Sequence, residues 1–148
     1  MHPNFIYFWL TRPLSAFQIA CCPPGMQATT LDMVQAYRNS LIILAHKKYL
    51  VVSWNDGIYV QHNAIEGLCL ASGIQGTPAD ACIEILCMNG IHPVFKWVND
   101  FIIFHSPSLL PLPDDVPHYN YDLLSVFHIT DQLGIPWHAV TKKGQDFA

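Results

Sequence analysis

Positive charge is scarce in this chain. Only seven of its 148 residues are Lys or Arg, against eleven Asp and Glu, and the net charge is −4 with histidines neutral. A protein-wide basic field that holds nucleic acid by its phosphates is thereby excluded, although a local basic groove is not. Charged residues make up 12% of the chain and hydrophobic ones 51%, a balance that excludes intrinsic disorder. Long apolar runs are absent: nothing approaches the ~20 residues of a membrane span, so no membrane partner is expected. The opening MHPNFIYFWLTR has neither a basic leader nor a small-residue cleavage site, so no signal peptide is expected. The five cysteines, Cys21, Cys22, Cys69, Cys82 and Cys87, are odd in number and lack a paired framework spacing. An intracellular, reducing setting follows, with cytoplasm and nucleus left undivided. No P-loop, dinucleotide fingerprint or Gly-x-Ser-x-Gly elbow occurs, which leaves the commonest nucleotide and hydrolase signatures unfilled. There is no internal repeat and no charged tail.

What is there is a chain long enough for one domain with a real core, punctuated by eleven prolines and eight glycines. ATTLDM, residues 28–33, reads as a short strand, followed by a turn of helix in VQAYRNS. KYLVVSW and IYVQH are β-rich runs joined through Asn55-Asp56-Gly57, a hairpin signal. SGIQGTPADACIEILCMNG reads as a loop and then a helix, with Thr77 as cap, Pro78 in the first position and Asn89-Gly90 at the end. PVFKWVNDFIIFHS reads as two strands around Asn99-Asp100. SPSLLPLPDDVP is a proline-rich loop, and YDLLSVFHITDQLG an amphipathic helix closed by Gly134. IPWHAV reads as a last strand. This order predicts an α+β architecture, one antiparallel sheet with helices on one face.

Two carboxylates stand out. Asp32 ends a strand, and Asp100 sits with Asn99 at a hairpin tip. In such a sheet the two elements lie side by side, and carboxylates gathered at a sheet edge are how proteins hold Mg²⁺. Two such ions clamp the attacking and leaving oxygens in phosphoryl transfer. Asn-Asp is equally a good turn dipeptide, and Asp32 a good helix cap. Cys82, Cys87 and His92 do not have zinc-site spacing, because five residues on a helix turn the second cysteine well away from the first.

PPGMQATTLDMVQAYRNS, KYLVVSWNDGIYV, EGLCLASGIQGTPADACIEI, GIHPVFKWVNDFIIFHSP and LGIPWHAVTKKGQDF occur in that order. Together they resemble the palm region of reverse transcriptases, and most nearly the retroelement-derived reverse-transcriptase-like proteins of basidiomycete fungi. The resemblance covers roughly residues 20 to 148 and leaves 1–19 as an extension, a remnant of fingers. It implies a polymerase palm fold, RNA-directed DNA polymerase ancestry, Mg²⁺ or Mn²⁺ as cofactor, and primer-template nucleic acid as partner. Asp32 matches the metal-binding aspartate of the first motif. Tyr37 matches the aromatic under the nucleotide sugar, although core packing is an alternative role. Arg38, Gln75 and Gly76 match substrate-contacting positions, with Ser72-Gly73-Ile74-Gln75-Gly76 as the glycine-bearing loop. Lys96-Trp97-Val98 leads into Asn99-Asp100, the catalytic pair of the third motif. Lys142 or Lys143 matches a leaving-group acid, with a solvated lysine pair as the plainer reading.

The departures matter as much. Asn99 stands where the family has a metal-binding aspartate, so the resemblance leaves only Asp32 and Asp100 to hold metal. Ile65-Glu66-Gly67 replaces a Pro-Phe-Gly-like approach to the second motif and brings a carboxylate towards a phosphate site. The resemblance further implies a palm fragment truncated before the family's primer grip and thumb. The sequence thus implies a palm with impaired catalysis, in which the metal is lost if activity is lost. The alternatives are a non-catalytic nucleic-acid- or protein-binding remnant and, further off, an unrelated hydrolase. Apolar surface that once met fingers and thumb predicts self-association.

Overall fold

The computed structural model describes residues 17, 19–67, 71–108 and 118–148. Most of the N-terminal extension, Cys69 and residues 109–117 of the proline-rich loop lie outside them.

Four strands form one antiparallel sheet in the order β4-β5-β1-β6: β1 (Gln27–Asp32), β4 (Val94–Trp97), β5 (Asp100–His105) and β6 (Gly144–Gln145). The remaining strands, β2 (Val51–Trp54) and β3 (Gly57–Val60), make a separate two-stranded ribbon. Helices α1 (Ala71–Met88) and α2 (Leu123–Gln132) back the four-stranded sheet.

Alternation sets the sheet's inner face. Thr29 and Leu31 on β1 and Phe101 and Ile103 on β5 are buried, at the two-residue period of a strand. Against them α1 brings Ala79, Cys82 and Leu86, and α2 brings Val126 and Thr130, spaced as one helical stripe each. Each large apolar side chain so buried contributes about 1.5–3 kcal/mol. Burial pushes the Cys82 thiol up to about 12, so it packs as an apolar group.

Local turn chemistry ends the elements where the sequence predicts. After α1, Gly90 takes φ +81°, and Ile91 N–H donates to the Leu86 carbonyl at 3.0 Å. After α2, Gly134 takes φ +67°, and Ile135 N–H donates to the Thr130 carbonyl at 3.1 Å. Both are the left-handed closure that glycine favours. Asn55 and Asp56 both have positive φ and turn β2 into β3. Asp122 caps α2 by accepting from the Ser125 hydroxyl at 2.7 Å and from Ser125 N–H at 2.8 Å, and these bonds hold its carboxyl below the usual range.

Three expectations need correction. α1 begins at Ala71 rather than at Thr77, so Pro78 and the glycine-bearing loop lie inside the helix. Burial of Ala71 and Gln75 on the same stripe as Ala79 holds this first part helical, and packing outweighs the local cost of proline. The hairpin turn is Val98-Asn99, with Asp100 already in β5 opposite Trp97. IPWHAV is not a strand; it keeps one bridge, Met33 to Trp137, while β6 forms further on. Pro136 offers no N–H for a ladder, but its carbonyl accepts from Val34 N–H at 2.7 Å.

Candidate functional site

The edge where β1 ends and β5 begins carries the acidic residues. Asp32 and Asp100 are cross-strand partners, so their side chains leave the same face of the sheet. The tip between β4 and β5 is tied to β1 twice. The Asn99 carbonyl accepts from Met33 N–H at 3.0 Å, and Asn99 Nδ2 donates to Asp32 Oδ1 at 2.6 Å. Val98 makes the turn at φ +56°, a left-handed conformation that is costly for a β-branched residue.

The second Asp32 oxygen is also taken. Lys143 Nζ lies 3.0 Å from Asp32 Oδ2. The Asp32 side chain is only 12% exposed and that of Lys143 61% exposed, so a solvated ammonium caps a desolvated carboxylate. Partial burial, and then the Asp32 charge, raise the Asp100 carboxyl above its usual range, with Lys143 pulling the other way.

A cleft of about 400 Å³ opens beside this edge, lined by residues that include Asp32, Tyr37, Arg38, Glu66, Asn99 and Lys143. Tyr37 and Arg38 belong to a one-turn 3-10 helix, Ala36–Asn39. Side-chain amides fix that turn: Asn39 Nδ2 donates to the Val34 carbonyl at 3.0 Å, and Asn63 Nδ2 to the Arg38 carbonyl at 2.6 Å. His138 also lines the cleft, and its backbone N–H donates to the Asp32 carbonyl at 2.9 Å.

The structure thus brings Asp32, Tyr37, Arg38, Asn99 and Lys143 to one cleft, with Asp100 on the adjoining edge. Three predicted residues lie elsewhere among the described residues. Gln75 is buried in α1, and neither of its amide atoms has a hydrogen-bond partner. The Gly76 carbonyl is occupied by Lys96 Nζ at 2.8 Å. Lys142 is exposed in the turn before β6, where its backbone N–H donates to the Ala139 carbonyl. Lys96 is a positioning residue that sequence reading missed. Besides Gly76 it pairs with Asp80 Oδ1 at 2.6 Å, fastening β4 to α1; its spacing from Gly76 and Asp80 carried no signal.

The donor set does not fit a pair of divalent ions. Two dications need concentrated carboxylate charge. Here Asp32 is already paired with an ammonium and an amide, and residue 99 adds no charge. Among the described residues no group of three His, Cys, Asp or Glu side chains is gathered for a metal ion.

No family model matches the chain, and no curated protein matches it. Among solved structures it is similar to a foamy viral protease-reverse transcriptase in complex with an RNA/DNA hybrid. The TM-score is 0.55 at 12% sequence identity, over 81% of this chain and 14% of that one. The fold is palm-like. At that identity the likeness concerns the fold alone, and the chain spans a small part of the neighbour's length. Among the described residues no helix is long and apolar enough to cross a membrane.

Proposed function

We propose that this chain is a reverse-transcriptase-type palm, of retroelement and basidiomycete ancestry by its sequence motifs, that binds nucleic acid at the cleft without two-metal nucleotidyl transfer. The observation that carries the reading is the pairing of Asp32 and Asp100 at one sheet edge, beside a cleft that Tyr37 and Arg38 line, in a palm-like fold. The solved neighbour holds an RNA/DNA hybrid, which favours the same ligand class here. In this reading Arg38 meets backbone phosphate and the Tyr37 ring packs against a sugar or base. Asn99 keeps the hairpin tip docked on Asp32 where a third carboxylate would repel it. Mg²⁺ or Mn²⁺ is an ancestral cofactor whose charge-matching residues are depleted, and no chemical step is assigned to it.

The test is primer extension on an RNA template with excess protein in Mg²⁺ and in Mn²⁺. No extension is expected from the wild-type chain. Extension that disappears with Asp32→Asn would overturn the non-catalytic reading.

A second reading, a protein-interaction module, is favoured by the β2–β3 ribbon. Trp54 is 68% exposed and Ile58 77% exposed, and Val51, Val52, Tyr59 and Val60 are exposed beside them. Neither strand carries a charged residue, so both edges lack the usual protection against pairing with another chain.

A further inference from the structure

We propose that Lys143 is a built-in cation of this site: its ammonium holds the position against Asp32 that a divalent ion would need, so the cleft takes up dications only weakly. The inference rests on the reading of the Asp32 edge as the ligand site, and it concerns what keeps metal out of it. Three observations place Lys143 there by construction. Its Nζ pairs with Asp32 Oδ2 at 3.0 Å while Asn99 fills Oδ1, so both carboxylate oxygens are engaged. Its backbone N–H, like that of Lys142, donates to the Ala139 carbonyl, which fixes the turn it sits on. The next residue, Gly144, pairs with Leu31 at φ +140°, and a Cβ there would stand 2.6 Å from the Thr30 carbonyl oxygen. Only glycine fits this approach, so β6 delivers Lys143 to Asp32 in a single register. Lys142, one residue earlier, has no such contact and lines no part of the cleft.

The electrostatics follow from the placement. A unit positive charge on one carboxylate oxygen cancels much of the attraction that the Asp32–Asp100 pair offers a dication. The exposed ammonium is held by solvent-screened forces, so it is a removable counterion rather than a rigid lock.

The experiment is a Mn²⁺ titration of the full chain, followed by the electron paramagnetic resonance of free Mn²⁺. The variants are Lys143→Met, Lys143→Arg and, as a control, Lys142→Met, with thermal melts to verify folding. Lys143→Met is expected to tighten Mn²⁺ binding by about tenfold or more, Lys143→Arg to keep it weak, and Lys142→Met to leave it unchanged. Should Lys143→Met not fold, Lys143→Gln takes its place with the same expectation. A folded, uncharged variant at position 143 that binds Mn²⁺ no better than wild type overturns the proposal, as does equal tightening by Lys142→Met. Failure of nucleic-acid binding leaves these metal affinities unaffected, so the two readings fail separately.

Discussion

Asn99 donates its side-chain amide to Asp32 across the tip of the β4–β5 hairpin, at 2.6 Å. The bond has a direction. An amide N–H donates a hydrogen bond to a carboxylate, whereas a second, ionised carboxylate in the same place can only accept. The polar pair within an otherwise apolar stretch is therefore a turn and a docking contact at once. It closes the hairpin and neutralises the hydrogen-bonding need of a nearly buried Asp32.

Asn99→Asp removes that donor and sets two carboxylates against each other. In EDTA the variant is expected to lose roughly 1–3 kcal/mol of stability. Mg²⁺ or Mn²⁺ should return part of the loss to the variant and little to the wild type. Thermal melts with and without metal check this; a variant whose melting temperature ignores both the substitution and the ion shows that residue 99 does not face Asp32.

Asp100 gives a pH signature. Partial desolvation and the Asp32 charge raise its carboxyl in the folded state. The folded protein then binds a proton there more readily than the unfolded chain, so the ionised group disfavours folding above its folded-state value. That penalty fades as pH falls through the raised value towards the ordinary carboxylate range. Asp100→Asn is accordingly expected to be more stable than wild type near pH 7, with the gap closing in acid. Melting curves of both proteins across that range measure it, and a gap that widens in acid contradicts the assignment.

Lys96→Met strips the ammonium from the Gly76 carbonyl and from Asp80 while keeping an apolar stem of similar length. A cost of about 1–3 kcal/mol is expected. The effect should be local: amide hydrogen exchange should quicken in the first half of α1 more than in β1 and β5. Uniform quickening would mean that Lys96 does not pin β4 to the helix.

The uncharged ribbon predicts self-association. Ile58→Lys places a charge on an exposed strand and removes an apolar side chain that is 77% exposed, so the elution volume on size-exclusion chromatography should move towards monomer with the melting temperature nearly unchanged. A wild-type chain that elutes as a monomer at high concentration removes the basis for this prediction.

Elements governed by local chemistry were legible in the sequence. Asn55-Asp56, Asn89-Gly90 and Gly134 announce their turns because few residues tolerate left-handed backbone. The approach of Asp32 to the Asn99-Asp100 tip was legible because the strands that carry them were expected side by side in one sheet. Elements set by distant packing were not. Thr77-Pro78 is a good local helix start, yet burial of Ala71 and Gln75 carries the helix past it. Gln75 was expected at the substrate, but a helix in place of a loop turns it into the interior. Lys143 and Asp32 lie far apart in the sequence, and the pairing of β6 with β1 brings them together; no spacing rule reports that.

The most direct test of the account is the anisotropy of a fluorescent RNA/DNA primer-template titrated with the full chain, in EDTA and in Mg²⁺, over a series of salt concentrations. Saturable binding is expected that weakens as salt rises, by roughly 0.7–0.9 log units per tenfold salt for each phosphate contact, and that does not require Mg²⁺. Binding that is absent at low salt, or that demands Mg²⁺, would contradict it.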